Sequence, residues 1–313
     1  MPSVRAAGWM ISSAPMRKAR HVAPHILRTA FRGLGPVFPG LMGAWAYRLW
    51  FRTRRYAGSV AEQSVAGNAE HTTLPVEGIP VAVYRWGAGP VVVFVHGWSG
   101  RATQVAAFVE PLTAAGYCVI AFDAPAHGKT PGRRTNILEF ASALRAIAAA
   151  YGPPYGALTH SFGGMALAYA LQQDVDAERV VCISAPARLE FLVERFSRMV
   201  SLPAVVQTEL RRRLEKRFTA DVWELMSTDS NARTLTIPAL IVHDRDDREV
   251  PWWQGEMIAA AWPGAQWLAT RGLGHRRILR DAATVQAVVD FLGETRGPRQ
   301  LGAESERRYP EAS

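Results

Sequence analysis

Short, wholly apolar runs alternating with helix-length stretches constrain this chain more than any other feature. Val91-Val92-Val93-Phe94-Val95 carries no polar side chain, as a parallel strand covered on both faces requires. Tyr117–Phe122, Tyr155–Leu158, Val180–Ile183 and Leu240–Val242 read as further core strands. Helix candidates lie at Thr103–Ala115, Ile137–Ala150, Trp253–Ala261 and Ala283–Phe291, and His71 to Arg85 reads as a hairpin around Gly78. Repeated strand–helix units imply an α/β fold with a mostly parallel, doubly wound sheet, whose ligand site lies at the carboxyl ends of the strands. The turns at 96–100, 123–130, 159–164, 244–251 and 271–276 follow such strands and should gather on one edge. At 313 residues, 49% of them hydrophobic, the chain suits one large domain with an insertion.

One of those turns has a chemical signature. After Tyr155-Gly156-Ala157-Leu158 the chain runs Thr159-His160-Ser161-Phe162-Gly163-Gly164 and passes at once into the helix-like stretch Met165 to Leu171. A serine on a strand–turn–helix bend is lifted clear of its neighbours on a strained backbone. Glycines at 163 and 164 let the new helix pack close to the strand. The helix that starts there points free N–H groups and the positive end of its dipole at any oxyanion formed beside Ser161. This is the layout of a nucleophilic serine, although Thr159 stands where the G-x-S-x-G pattern has its first glycine.

Charge is unevenly spread. The chain carries 36 Lys and Arg against 27 Asp and Glu, yet ten of the basic residues precede the first acidic one, Glu62. The remainder is close to neutral, so nucleic-acid binding by a basic face of the body is not expected. The basic segment lacks the single apolar stretch and small-residue cleavage site of a secretory signal. Gly33 to Tyr47 is free of charge but too short for a membrane span, and it holds Pro36, Pro39 and four glycines. Leu41, Trp45 and Leu49 fall at helical spacing, with Arg48, Arg52 and Arg55 on another face. Two readings stay open: a peripheral membrane contact through residues 25–55 on an anionic surface, or an N-terminal helix packed on the body. Since every candidate catalytic residue lies further on, a chain beginning near Gly58 is expected to keep the folded core and its activity.

Cys118 and Cys182 each sit inside an apolar run. They read as buried small hydrophobes, which suits a reducing, cytoplasmic setting. Between the strands ending near Ser184 and beginning near Ile237 lies an insertion. Leu189, Leu192, Val193, Phe196 and Met199 have helical spacing there, as do Leu214, Phe218, Val222 and Leu225 more loosely. A small helical cap over the site is expected. The run Arg211 to Arg217 reads as its solvated face, or as a rim that attracts anionic substrates. The expected layout is a basic segment at 1–60, a core formed by 61–186 with 237–295, a cap at 187–236 and a tail at 296–313.

The ordered set His96-Gly97-Trp98-Ser99-Gly100, Asp123-Ala124-Pro125-Ala126-His127-Gly128, His160-Ser161-Phe162-Gly163-Gly164, His243-Asp244-Arg245-Asp246-Asp247-Arg248-Glu249-Val250-Pro251 and Gly272-Leu273-Gly274-His275 resembles the α/β-hydrolase fold family over roughly residues 72–293. The resemblance implies a catalytic triad of Ser161, Asp247 and His275. His275 fits the chain order of that fold, and Asp247 takes the acid position of the family's loop pattern. Asp244 and Asp246 then read as turn residues, paired with Arg245 or Arg248. His96 and His127 are implied to hold strand-end loops, and His243 to order the acid loop. Backbone N–H groups of Trp98 and Phe162 would form the oxyanion hole, and their side chains are also candidates to line the acyl pocket.

The implied activity is a serine hydrolase acting on a carboxylic ester or thioester with a mainly apolar acyl group, through an acyl-enzyme and with neither metal nor organic cofactor. An amidase, a C–C bond hydrolase or an acyltransferase would use the same residues, and a non-catalytic binding protein is the alternative from another class. Serine rather than aspartate at the elbow disfavours epoxide hydrolases and haloalkane dehalogenases. Oligomeric state is not legible.

Overall fold

A computed structural model describes residues 24–294 of the chain; the leader before Pro24 and the tail expected over 296–313 lie outside the described residues. The strands are β1 Glu70–Val76, β2 Ile79–Trp86, β3 Val91–Val95, β4 Cys118–Phe122, β5 Gly156–His160, β6 Arg179–Ile183, β7 Ala239–Asp244 and β8 Gln266–Thr270. The helices are α1 Pro24–Leu34, α2 Pro39–Trp50, α3 Val60–Gly67, α4 Ala106–Ala114, α5 Ile137–Tyr151, α6 Phe162–Leu171, α7 Leu189–Val200, α8 Ala204–Arg217, α9 Val222–Leu225, α10 Thr228–Ala232, α11 Trp253–Ala261, α12 Gly274–Arg277 and α13 Ala282–Gly293. They build an eight-stranded sheet in the order β1-β2-β4-β3-β5-β6-β7-β8. β2 pairs antiparallel with β1 and β4, and every pairing from β4 to β8 is parallel.

The apolar runs become strands because both sheet faces are covered. Val93, Val95, Ile120 and Phe122 point into a core shared with α5, α6 and α11. Val92, Phe94, Val119 and Ala121 point to the opposite side, against Phe108 and Leu112 of α4 and Val285 and Val288 of α13. Strand β8 lies at an edge, half-exposed along most of its length. Its sequence Gln266-Trp267-Leu268-Ala269-Thr270 is therefore neither a continuous apolar run nor a clean alternation, and it is the one strand that sequence pattern does not reveal. The carboxyl ends of β3, β4, β5, β7 and β8 open on one edge, so the five turns anticipated from sequence do converge.

Two buried histidines fasten that edge. His96 accepts the Ala124 N–H at Nε2 (3.0 Å) and faces the Gly97 carbonyl through Nδ1 (2.8 Å). His127 accepts the Ser99 N–H at Nε2 (2.9 Å) and faces the Pro125 carbonyl through Nδ1 (3.0 Å). Each ring must be neutral, with the proton on Nδ1, to donate and accept in this way. Burial holds His96 at about 4. Burial, joined by the neighbouring His96, holds His127 at about 3. The Asp123 carboxylate completes the tie by accepting the N–H groups of Ala102 and Lys129, both at 2.8 Å.

A third core stands apart from the sheet. Phe31 of α1 and Met42 and Ala46 of α2 pack with Val193, Val200, Val206, Leu210 and Leu214 of α7 and α8. Helix α2 thus buries Met42, Gly43 and Ala46, whereas Leu41 and Trp45, whose spacing suggested an apolar stripe, stay exposed. Residues 51–57 continue as a strap across the loops at the carboxyl edge. The Thr53 N–H donates to Arg133 O (3.2 Å), the Thr135 N–H to Phe51 O (3.0 Å) and the Arg54 N–H to Ser99 Oγ (3.0 Å). Arg101 reaches back to Tyr56 O at 2.9 Å. A chain beginning near Gly58 would therefore lose one side of a core and the support of the loop after β3. Of the two readings of the segment, packing is what the fold displays: its apolar residues are shared with the helices between β6 and β7.

Three outcomes are expected, two for the segment and one for the histidines. Phe31→Ala should destabilise the protein by about 3–5 kcal/mol through the cavity it leaves, and deletion up to Gly58 should give insoluble or inactive protein, read by thermal unfolding and soluble yield. Third, His96 and His127 bind protons near pH 6.5 when unfolded, but only near 4 and 3 when folded. The sign follows: stability is complete above about pH 6.5 and is lost as the pH falls toward 4, each histidine contributing up to about 1.4 kcal/mol per pH unit. Unfolding free energy measured from pH 7 to pH 4.5 should show this slope, made shallower by one proton in His127→Gln.

Candidate active site

Ser161 lies between β5 and α6 with φ 54° and ψ −124°, a positive-φ conformation that a non-glycine residue adopts only under constraint. Its N–H is anchored on Ile183 O of β6 at 2.9 Å. Helix α6 presses against β3 so closely that a Cβ on Gly163 would stand 2.2 Å from Val95 O. A Cβ on Gly97 would likewise stand 2.9 Å from the Ser161 Cβ, so the absence of a side chain there leaves room for the serine. Thr159, in place of an elbow glycine, is accommodated: it is fully buried and its hydroxyl donates to Val181 O (3.0 Å) on the neighbouring strand.

The loop after β8 carries His275, and the loop after β7 carries Asp247. His275 Nδ1 stands 2.7 Å from Asp247 Oδ2. The other carboxylate oxygen accepts the N–H groups of Glu249 (2.8 Å) and Val250 (2.9 Å). Desolvation would raise the Asp247 pKa, but the His243 imidazole 3.5 Å away, the hydrogen bond and charge of His275 and the Val250 N–H outweigh it and hold the carboxyl well below the usual carboxylate range. An ionised acid can only accept, so Nδ1 of His275 carries a proton directed at Asp247. His243, at the end of β7, donates from Nε2 to Val250 O (2.8 Å), which orders the acid loop.

Asp244 differs from its sequence-based reading. It pairs with neither Arg245 nor Arg248. Fully buried, it accepts the Thr270 hydroxyl (2.7 Å) and the N–H groups of Leu273 (3.1 Å), Gly274 (2.9 Å) and Asp246 (3.0 Å). Desolvation opposes its ionisation, and these donors together overcome it. Asp246 accepts the Gly272 N–H at 2.9 Å. Both carboxylates therefore fasten the His275 loop to the end of β7. His160 adds a third fastening from the serine side, with Nε2 2.8 Å from the His275 carbonyl and ring centroids 4.8 Å apart. Burial, then the neighbouring His275, depresses His160 to about 3, so it is a neutral donor. No sequence signal marks these anchors, because most of their partners are groups far along the chain.

Ser161, His275, Trp98 and Phe162 line one cavity of about 450 Å³, within the usual range for small-molecule sites. The Trp98 and Phe162 rings meet edge to face at 5.1 Å. The backbone N–H groups of the two residues are not taken up in backbone hydrogen bonds among the described residues. Leu189, Leu192, Phe196 and Met199 of α7 line the far wall with Leu214, Phe218 and Val222, so the stripe read from sequence faces the cavity. Trp50, Phe51 and Tyr56 of the N-terminal segment complete the lining. Arginines 211–213 are engaged elsewhere: Arg211 lies over the Trp223 ring (3.9 Å), Arg212 pairs with Glu209 (2.9 Å) and Arg213 donates to Gly40 O (3.0 Å). Among the described residues no His, Cys, Asp and Glu cluster is arranged to hold a metal ion.

The model of the alpha/beta hydrolase family matches residues 92–287. No curated protein matches the chain. Among solved structures, a putative lipase from Acinetobacter baumannii AYE superposes with a TM-score of 0.57 at 17% identity, covering 76% of this chain and 98% of that one. Esterase RhEst1 from Rhodococcus sp. ECU1013 gives 0.56 at 19%, covering 72% and 98%. A meta-cleavage product hydrolase from Pseudomonas fluorescens IP01 gives 0.55 at 18%, covering 72% and 98%. At such identities these neighbours speak for the fold, and their different activities do not choose one for this chain. The sheet order and the family match agree: the chain belongs to the alpha/beta hydrolase family.

Proposed function

We propose that the protein is a serine hydrolase that cleaves a carboxylic ester or thioester with a mainly apolar acyl group. The observation that carries this reading is the Asp247–His275 pair at 2.7 Å, opening on the same cavity as the constrained Ser161. Ser161 Oγ attacks the acyl carbonyl carbon as its proton passes to His275 Nε2. The tetrahedral oxyanion is held by the Trp98 and Phe162 N–H groups, each such donor contributing roughly 3–4 kcal/mol in the transition state. Collapse breaks the bond to the alcohol or thiol, which leaves with the proton from His275. Water then adds to the acyl-enzyme, giving its proton to His275, and the acid departs as Ser161 regains its hydrogen. Asp247 stabilises the imidazolium and keeps His275 in the tautomer whose Nε2 is the base.

The apolar wall of Trp50, Phe51, Leu192, Phe196 and Phe218 supports an aliphatic or aromatic acyl group. A hydrophobic wall of this kind gains free energy from each methylene it removes from water.

A fluorophosphonate should label the protein, and Ser161→Ala should abolish labelling and lower kcat on p-nitrophenyl acyl esters by about 10⁶, with His275→Ala similar. Undiminished turnover by Ser161→Ala would sink the proposal. Asp247→Asn should cost about 10⁴ in kcat through the wrong histidine tautomer. Asp244→Asn should act through the fold. Its new amide opposes N–H donors, at about 1–3 kcal/mol for a group left unsatisfied, and the loss should appear as a lowered melting temperature accompanying any fall in kcat. A chemically crippled but fully stable Asp244→Asn protein would transfer the acid role to that residue.

A further inference from the structure

The exposed apolar side chains are not scattered. Among the described residues eleven large ones are exposed, and six of them, Ile26, Leu34, Val37, Phe38, Leu41 and Trp45, lie on α1, α2 and the turn between them. Val37 and Leu41 are each 66% exposed and Phe38 is 53% exposed, all near the tip of that hairpin. Two further members, Met199 and Val205, flank the turn between α7 and α8. That turn lies against the hairpin: a Cβ on Gly35 would stand 2.8 Å from Pro203 Cγ, and Arg28 Nε donates to Met199 O at 2.9 Å. Met199 also lines the cavity, so the patch reaches the cavity wall. Single exposed apolar residues need no explanation, but a contiguous group does.

Charge selects the occupant. No acidic residue precedes Glu62, while Arg28, Arg32 and Arg48 stand on the two helices of the hairpin. On the adjoining helices Glu194 pairs with Arg198 (3.7 Å), Glu209 pairs with Arg212 (2.9 Å), and Glu215 accepts the Trp223 indole N–H (2.8 Å). A charge-free apolar tip bordered by arginines matches a phospholipid surface with anionic headgroups, into which apolar side chains dip while the guanidinium groups stay at headgroup level. No helix among the described residues is long and apolar enough to cross a membrane.

We propose that the α1–α2 hairpin, with Met199 and Val205 beside it, is a docking surface for an anionic lipid bilayer. Docking of this kind is independent of the catalytic roles given to Ser161, Asp247 and His275, and its readout is binding.

The test is flotation of the full chain with vesicles of phosphatidylcholine containing phosphatidylglycerol, against pure phosphatidylcholine vesicles. The protein should float with the anionic vesicles and be released as salt shortens the Debye length. Val37→Asp/Leu41→Asp and, separately, Arg32→Glu/Arg48→Glu should each reduce the bound fraction about tenfold or more, with melting temperature and hydrolysis of a short soluble ester unchanged. The charge-reversal pair, on exposed positions, keeps the test sound should the first pair misfold. Failure to float at low salt, equal binding to neutral vesicles, or wild-type binding by either folded variant overturns the proposal. Self-association that Val37→Asp/Leu41→Asp disperses, without vesicle binding, would overturn it in favour of a second copy of the chain.

Discussion

The backbone at Ser161 is the constraint on which the rest of the arrangement turns. A non-glycine residue at φ 54° costs of order 1–3 kcal/mol and persists only where its surroundings over-determine it. Here β5 is paired on both sides, by β3 and β6, and the serine N–H is itself held by Ile183 O. Helix α6 then has one line of departure, and it passes so near Val95 O that only glycine fits at position 163. The proposed nucleophile is presented by a sheet and a helix that cannot relax independently. Thr159 departs from the family's glycine without loosening this, because its hydroxyl finds a carbonyl on the next strand.

Around that point the buried charges divide their work. Asp247 accepts from one imidazole and two backbone N–H groups, and Asp244 from one hydroxyl and three. Both are held ionised against burial by their donors. The difference lies in what donates. Asp247 faces the side chain of His275, whereas amide donors make Asp244 a clamp. The histidines divide in the same way: His96, His127 and His160 are neutral tethers, whereas His275 presents Nδ1 to an ionised carboxylate.

The N-terminal segment joins two questions that its sequence kept apart. Packing and surface affinity were alternatives when read from spacing alone. In the fold the packed and the exposed apolar residues occupy different sides of the same helices: Phe31, Met42 and Ala46 face α7 and α8, while Val37, Phe38 and Leu41 face outward. Through Trp50, Phe51 and Tyr56 the segment also walls the cavity, although it lies before the residues matched by the family model.

Sequence by itself determined the α/β class and the carboxyl-edge position of the candidate site and marked Ser161 as a candidate nucleophile, while Asp247 and His275 came from the resemblance to the family. Strands buried on both faces must be continuously apolar, and a strained elbow demands small residues at set positions, so both leave local marks. Sequence could not reveal β8, whose edge position removes the need for either pattern. It also could not separate Asp244 from Asp247 on physical grounds, or recognise His160 as a tether, since what distinguishes them are partners at 270–275, far along the chain. The fate of residues 24–57 was decided only in three dimensions. An amphipathic helix carries its apolar side chains whether it meets a protein or a lipid, and what it meets depends on the groove that α7 and α8 leave beside it.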